Sequence, residues 1–342
     1  MPYTPGEQPK DTQYIKLNTN ESPFNPSLKT IEYANKAAKN LQLYCDPLCT
    51  PLVRVATEKF NINEDEIIFT NGSDEVLNFA FMAYCDDEHP AIFPEISYGF
   101  YKVFAQINNV PYKEIPLKDD FTIDIEDYKN CGGTIFIANP NAPTGITLSV
   151  QEIEEIITSN PDNIVVIDEA YVDFGAQSVV PLTKKYDNLL VTQTFSKSRS
   201  LAGARLGFGI ANKDIIQDLN TIKYSTNPYN VNSMTMAAGT GALEDNDYYM
   251  ENCKKIIDNR TWTVKKLKEL GFSMTDSKTN FLFAMHPDFD GKAIYISLKE
   301  KGVLVRHFDT EKLSQYNRIT IGSKEQMEIF INKLTEVLEE LK

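Results

Sequence analysis

Short apolar, β-branched runs recur along the first two-thirds of the chain, and stretches of helical pattern separate several of them. EIIFT (Glu66–Thr70), AIFP (Ala91–Pro94), TIFIA (Thr134–Ala138), NIVVID (Asn163–Asp168), NLLVTQT (Asn188–Thr194) and LGFGI (Leu206–Ile210) read as strands. Asp74–Tyr84 and Ser149–Thr158 read as intervening helices. Strands alternating with helices predict an α/β domain with a mostly parallel central sheet flanked by helices. Ligands of such sheets bind beyond the carboxyl ends of the strands. Four polar clusters stand at predicted strand ends: Asn71-Gly72-Ser73-Asp74, Asn139 to Gly145, Asp168-Glu169-Ala170-Tyr171, and Thr194-Phe195-Ser196-Lys197. Four such placements argue for one shared site.

The pattern changes after about residue 245. A long polar helix over Asp247–Leu270 precedes FSMT, NFLFAM, GVLVR and RITIG as strands, with helices at Lys292–Lys301 and Lys324–Leu341. The 342 residues therefore divide into a large domain, 31–245, and a smaller α+β domain of 1–30 plus 246–342, the first segment acting as an N-terminal arm.

Composition narrows the function. A net charge of −14 repels phosphate backbones and anionic lipid, so neither nucleic acid nor membrane is an expected partner. No apolar run approaches the roughly 20 residues of a membrane span, and the polar N-terminus MPYTPGEQPKDTQY has no secretory core. Five scattered cysteines read as reduced thiols of a cytoplasmic protein. Cys45 and Cys49 have no neighbouring Cys or His pair, and His89, His286 and His307 sit in no ligand motif, so no metal site is expected.

Chemistry concentrates on TFSKSRSLAGARLGFG. A lysine that loses its proton is a nucleophile toward an aldehyde. Arg205, eight residues beyond Lys197 across small residues, can clamp a phosphate on the same ligand. Most lysines merely face solvent, but Lys197 follows a strand of buried type. Asp168 can serve a ligand or cap the next turn equally well. Gly72-Ser73-Asp74 opens a helix after a strand, which suits an anion or a simple cap.

Ser196-Lys197 with Ala202-Gly203-Ala204-Arg205-Leu206-Gly207, taken with the other strand-end motifs, resembles the lysine signature of the fold-type I, class I/II aminotransferases. The resemblance covers essentially the whole chain. It implies pyridoxal 5′-phosphate as cofactor, held by Lys197 as a Schiff base. It also implies Asp168 on the pyridinium nitrogen, Tyr171 and Asn141 on the phenolic O3′, and Tyr98 stacked on the ring. Gly72, Ser73, Asp74, Thr194, Ser196 and Arg205 would surround the phosphate. Tyr44, in LYCDP, matches a tyrosine that reaches the neighbouring site of a homodimer; Cys45 stands where proline is commoner.

PYTPGEQP, LNTNESPFNPS and VRHFD…NRITIGS, with the short length, are similar to histidinol-phosphate aminotransferases. That likeness implies histidine biosynthesis, with histidinol phosphate and 2-oxoglutarate as substrates and glutamate as a product. Arg318 would grip the anionic end of both substrates, assisted by Arg306, with Tyr3, Asn20, Glu21 and Tyr229 in the cleft or its lid. Aromatic amino-acid aminotransferases and threonine-phosphate decarboxylases share this architecture and stay open as alternatives. A nucleotide-binding α/β module or a dehydrogenase is a poorer reading, because no G-x-G-x-x-G follows the first strand.

Overall fold

The computed structural model describes residues 6–10 and 13–342, so Tyr3 lies outside the described residues. The N-terminal arm contributes a two-residue strand, β1 (Ile15–Lys16). Seven strands then build the main sheet: β2 (Ile67–Thr70), β3 (Ala91–Pro94), β4 (Tyr112–Ile115), β5 (Thr134–Ala138), β6 (Val165–Asp168), β7 (Leu189–Thr194) and β8 (Gly207–Ile210). Their order is β2-β8-β7-β6-β5-β3-β4. Within this sheet β8 alone runs against the direction of the other six strands.

Side chains alternate across this sheet, and both faces are dry. Ile137, Ile167 and Val191 pack into one apolar cluster, and Phe136, Val166 and Leu190 into another on the opposite face. Two-sided burial explains why these strands read as unbroken apolar runs. Truncating Ile167, fully buried, to alanine would cost roughly 2–5 kcal/mol. The helix Val150–Ser159 starts where a capping box puts it, with Ser149 accepting from Glu152 N–H and the Glu152 carboxylate accepting from Ser149 N–H.

In the main sheet the unforeseen strand is β4. It is an edge strand whose Lys113 and Glu114 are exposed, so YKEI carries no apolar run to announce it.

The C-terminal third adds β9 (Ser273–Met274), β10 (Phe281–Met285), β11 (Val303–Leu304), β12 (Arg306–His307) and β13 (Tyr316–Thr320). An antiparallel sheet of order β12-β13-β10-β9 packs with the helices Asn246–Glu269, Gly291–Glu300 and Lys324–Glu340 around Leu282, Ile319 and Phe330. GVLVR, read as one strand, divides. Val303–Leu304 pairs in parallel with β1, and Arg306–His307 pairs with β13. The pairing with β1, together with Leu17 in this core, fastens the N-terminal arm to the C-terminal layer.

Close backbone approach sets the turn after β2. A Cβ on Gly207 would lie 2.1 Å from Ser73 N, so only glycine lets β8 pass beneath the start of the helix Ser73–Tyr84. Gly72, at φ 84°, makes the preceding turn in the left-handed region that glycine adopts without strain.

Candidate active site

The carboxyl ends of β2, β5, β6 and β7 open onto one cavity of about 280 Å³. Asp168, the last residue of β6, forms part of its wall and is 4% exposed. Tyr101 Oη donates to its Oδ2 at 3.2 Å, while Thr192 Oγ1 and Ala170 N–H donate to Oδ1, each at 3.2 Å. Burial, reinforced by the nearby Asp74 carboxylate, pushes Asp168 up to about 6 in spite of these bonds. A cation beside it would restore the charged form.

Lys197 follows β7. Its Nζ lies 3.4 Å from the Thr19 carbonyl and 5.7 Å from the centre of the Tyr171 ring. Behind it, the Ser198 hydroxyl donates to Asp173 at 2.5 Å and Arg199, buried, donates to Asn246 at 3.1 Å. These bonds anchor the loop on the side away from the cavity.

At the other end of the cavity the helix Ser73–Tyr84 presents its first N–H groups, which have no partner within the helix. Arg205, at φ 54°, turns its side chain to the same place and bonds Asp74 Oδ2 at 3.0 Å. Tyr98 Oη donates to Asp74 Oδ1 at 2.7 Å. Ser196 N–H donates to Thr194 Oγ1 at 3.1 Å, and both residues line the wall beside Arg205. N–H groups, hydroxyls and a guanidinium around one point suit a phosphate. There the Asp74 carboxylate would share Arg205 with the anion, so it is the Asp74 N–H that suits an anion.

A second, outer cleft of about 580 Å³ adjoins the first. The two share Thr19, Tyr98, Ala142, Tyr171 and Lys197, so the amine stands at their junction. Arg306 and Arg318 line the outer cleft and are register partners across β12 and β13. Both guanidiniums lie over Phe308, at 5.6 and 5.8 Å. A 2.6 Å ion pair between Lys312 and Glu95 spans the rim. Glu21 lines the inner cavity; burial opposes its charge, but bonds from Lys16 and Thr19 hold its carboxyl below the usual range.

Four of the expected residues, Gly72, Asn141, Tyr44 and Tyr229, line neither cavity of the single chain, Tyr44 being expected at a neighbouring chain's site. Asn141 is buried, but it does not line the cavity. Its amide nitrogen donates to Ile96 O at 2.9 Å and Thr144 Oγ1 at 3.1 Å, and its oxygen accepts from Ser97 at 2.7 Å. It braces the loop that carries Tyr98. Tyr44 and Tyr229 line neither cavity of the single chain; they stack on each other at 4.7 Å near the surface. Asn20 borders the outer cleft with its amide engaged internally.

Other residues escaped the sequence reading. Tyr101 is one helical turn beyond Tyr98, and Thr192 is two residues before Thr194; both spacings were available as signals. Glu169, next to Asp168, is buried and pushed up to about 7 by that burial, with bonds from Ser178, Val179 N–H and Gln193.

Residues 12–334 match the family described as aminotransferase class I and II. The chain belongs to this family. Within it, a histidinol-phosphate aminotransferase of Brachyspira hyodysenteriae is 52% identical over 98% of this chain and 96% of its own length. One from Clostridium botulinum is 46% identical over 99% of this chain and 96% of its own. The fold is that of the histidinol-phosphate aminotransferase of Sinorhizobium meliloti, solved in complex with pyridoxal-5′-phosphate. The two superpose with a TM-score of 0.89 at 22% identity, covering 96% of this chain and 92% of that one. This aminotransferase thus has the fold-type I architecture expected from its strand-end motifs.

Proposed function

We propose that this chain is a pyridoxal-phosphate-dependent aminotransferase of histidine biosynthesis. It converts L-histidinol phosphate and 2-oxoglutarate into imidazole acetol phosphate and L-glutamate. The observation that carries the reading is the junction position of Lys197, between a cavity with a phosphate-type end and an outer cleft lined by two arginines. Relatives named for this activity, matched over nearly full length, support the substrate assignment.

The inner cavity fits the cofactor. A Cβ at Gly72 would come within 2.8 Å of Arg205 Nη2, so glycine keeps the guanidinium accessible at the helix N-terminus. At the far wall, Asp168 has its charge opposed by burial until a protonated ring nitrogen pairs with it. Pyridoxal phosphate supplies an aldehyde for an amino group and a ring that takes up an electron pair.

The chain's own residues do the rest. Ser73, Thr194, Ser196 and Arg205 would hold the phosphate with the N–H of Asp74, and Asp168 would keep the ring nitrogen protonated. Tyr171 would hydrogen-bond the phenolic oxygen and Tyr98 would pack against the ring, with Asn141 bracing the loop that carries Tyr98. Lys197 Nζ anchors the cofactor and then moves the proton at the substrate Cα. Arg318, with Arg306 beside it, receives a phosphate or a carboxylate in the outer cleft, since one guanidinium fork pairs with either.

The same reading divides the chain into 31–245 and 1–30 plus 246–342. It makes the working unit a homodimer, with Tyr44 and Tyr229 at the shared face. Five free cysteines agree with a cytoplasmic location. Single-turnover reaction of the loaded enzyme with a panel of amino donors, read by loss of visible absorbance, tests the assignment. Histidinol phosphate should react fastest; a preference for phenylalanine or tyrosine would make the enzyme an aromatic aminotransferase.

A further inference from the structure

Residues Asn18, Thr19 and Asn20 lie between β13 and the two side chains at the cavity junction. The Asn18 carbonyl accepts from Arg318 Nη2 at 3.0 Å, and the Thr19 carbonyl faces Lys197 Nζ at 3.4 Å. Asn20 is bonded on both sides. Its N–H donates to Thr320 Oγ1 at 3.0 Å, its Oδ1 lies 3.0 Å from the same hydroxyl, and its Nδ2 donates to Tyr171 Oη at 2.9 Å. The residue is 1% exposed and held at φ 56°. Arg318 and Thr320, two apart on β13, project to the same side of the strand.

Counting protons sets the direction of these bonds. Thr320 has one hydroxyl proton, and its oxygen already accepts the Asn20 N–H, so the proton goes to Asn20 Oδ1. The amide nitrogen then faces Tyr171, and the phenol oxygen is the acceptor in that contact. Tyr171 keeps its own proton for a bond into the cavity it lines. With the amide reversed, Tyr171 would spend that proton on Asn20, and the Thr320 proton would lose its acceptor.

We propose that Asn20 is a positioning residue: by donating to Tyr171 Oη it reserves the Tyr171 proton for the phenolic oxygen of the cofactor, and it ties that bond to the strand bearing Arg318. The inference rests on the reading that pyridoxal phosphate occupies the inner cavity. A hydrogen bond to an ionised phenolic oxygen favours the ionised form, so losing the bond raises the pH at which the oxygen deprotonates.

The test is a pH titration of the visible absorption of the cofactor-loaded protein. Asn20→Asp changes the donor to an acceptor at nearly constant shape, which obliges Tyr171 to point its proton at residue 20. Its midpoint should rise by about one to two pH units, the equivalent of one charge-assisted hydrogen bond, and Tyr171→Phe should rise comparably. The double variant should titrate with Tyr171→Phe. An additive rise would mean that the new charge acts through space, and overturns the proposal. An unchanged midpoint in Asn20→Asp beside a shifted one in Tyr171→Phe also overturns it. If Asn20→Asp does not fold, Thr320→Val decides: it releases the amide from its fixed orientation and should raise the midpoint by a smaller amount, whereas no change refutes the idea. A wild type with no titrating visible band would instead remove the cofactor reading, and this inference with it.

Discussion

Arg306 and Arg318 are direct cross-strand partners on β12 and β13, and both guanidiniums lie over one ring, Phe308. Like charges directly opposite each other on a sheet are unfavourable. Both line the outer cleft, where together they favour an anion. Arg318→Lys keeps the charge and loses the fork. It should raise KM for histidinol phosphate and for 2-oxoglutarate by about tenfold or more each, the scale of a lost charge-assisted bond, and leave the cofactor spectrum unchanged. Steady-state kinetics on both substrates check this. An effect on only one of them would show that the two anions do not share Arg318.

Asp168 is held by Tyr101, Thr192 and the Ala170 N–H inside a dry wall. Asp168→Asn preserves the shape and removes the charge that keeps the ring nitrogen protonated. The single-turnover rate should fall by at least about 10²-fold, the lower end for placed charges and proton-transfer groups. A near-normal rate in this variant would take Asp168 out of the chemistry.

Glu169 gives a pH signature in stability. Burial pushes it up to about 7 from an ordinary value of 4.5, so the folded chain binds this proton more tightly than the unfolded one. The stabilisation from that bound proton is full below about 4.5 and is lost as pH rises toward 7. Glu169→Gln has no such loss. Between pH 5 and 8 the stability difference should move in favour of the variant by about 2 kcal/mol, measured by denaturant unfolding at both pH values. A difference that stays constant with pH would mean that Glu169 is ionised throughout.

Tyr44 is 85% exposed in the single chain, with Leu41, Leu43 and Leu48 exposed alongside it. Apolar surface of that kind is typical of an interface. Mixed dimers of Tyr44→Phe and Lys197→Ala chains should carry one site with both defects and one with neither, so they recover activity that neither variant pair of like chains has in full. Sedimentation of a fully active monomer would contradict the shared site.

The legible parts of this molecule are those whose physics is local. Buried parallel strands announce themselves because both faces are dry, and the polar residues that end β2, β6 and β7 gather in one cavity. The edge strand β4 has no such mark, since Lys113 and Glu114 are exposed. Long-range wiring leaves no trace either. Tyr101 meets Asp168 from 67 positions away, and Asn20 meets Tyr171 from 151. Asn141 shows the converse: a motif position was visible, but the direction of its amide depends on Ile96, Ser97 and Thr144.

The central claim is that Lys197 Nζ, at the junction of the two cavities, carries the cofactor. Borohydride reduction of the loaded wild-type enzyme, followed by proteolysis and mass spectrometry of the peptides, tests it most directly. The pyridoxyl group should be found on Lys197, and Lys197→Ala should lose both the label and turnover. Label on any other lysine, or a Lys197→Ala enzyme that still transaminates at the wild-type rate, would contradict the account.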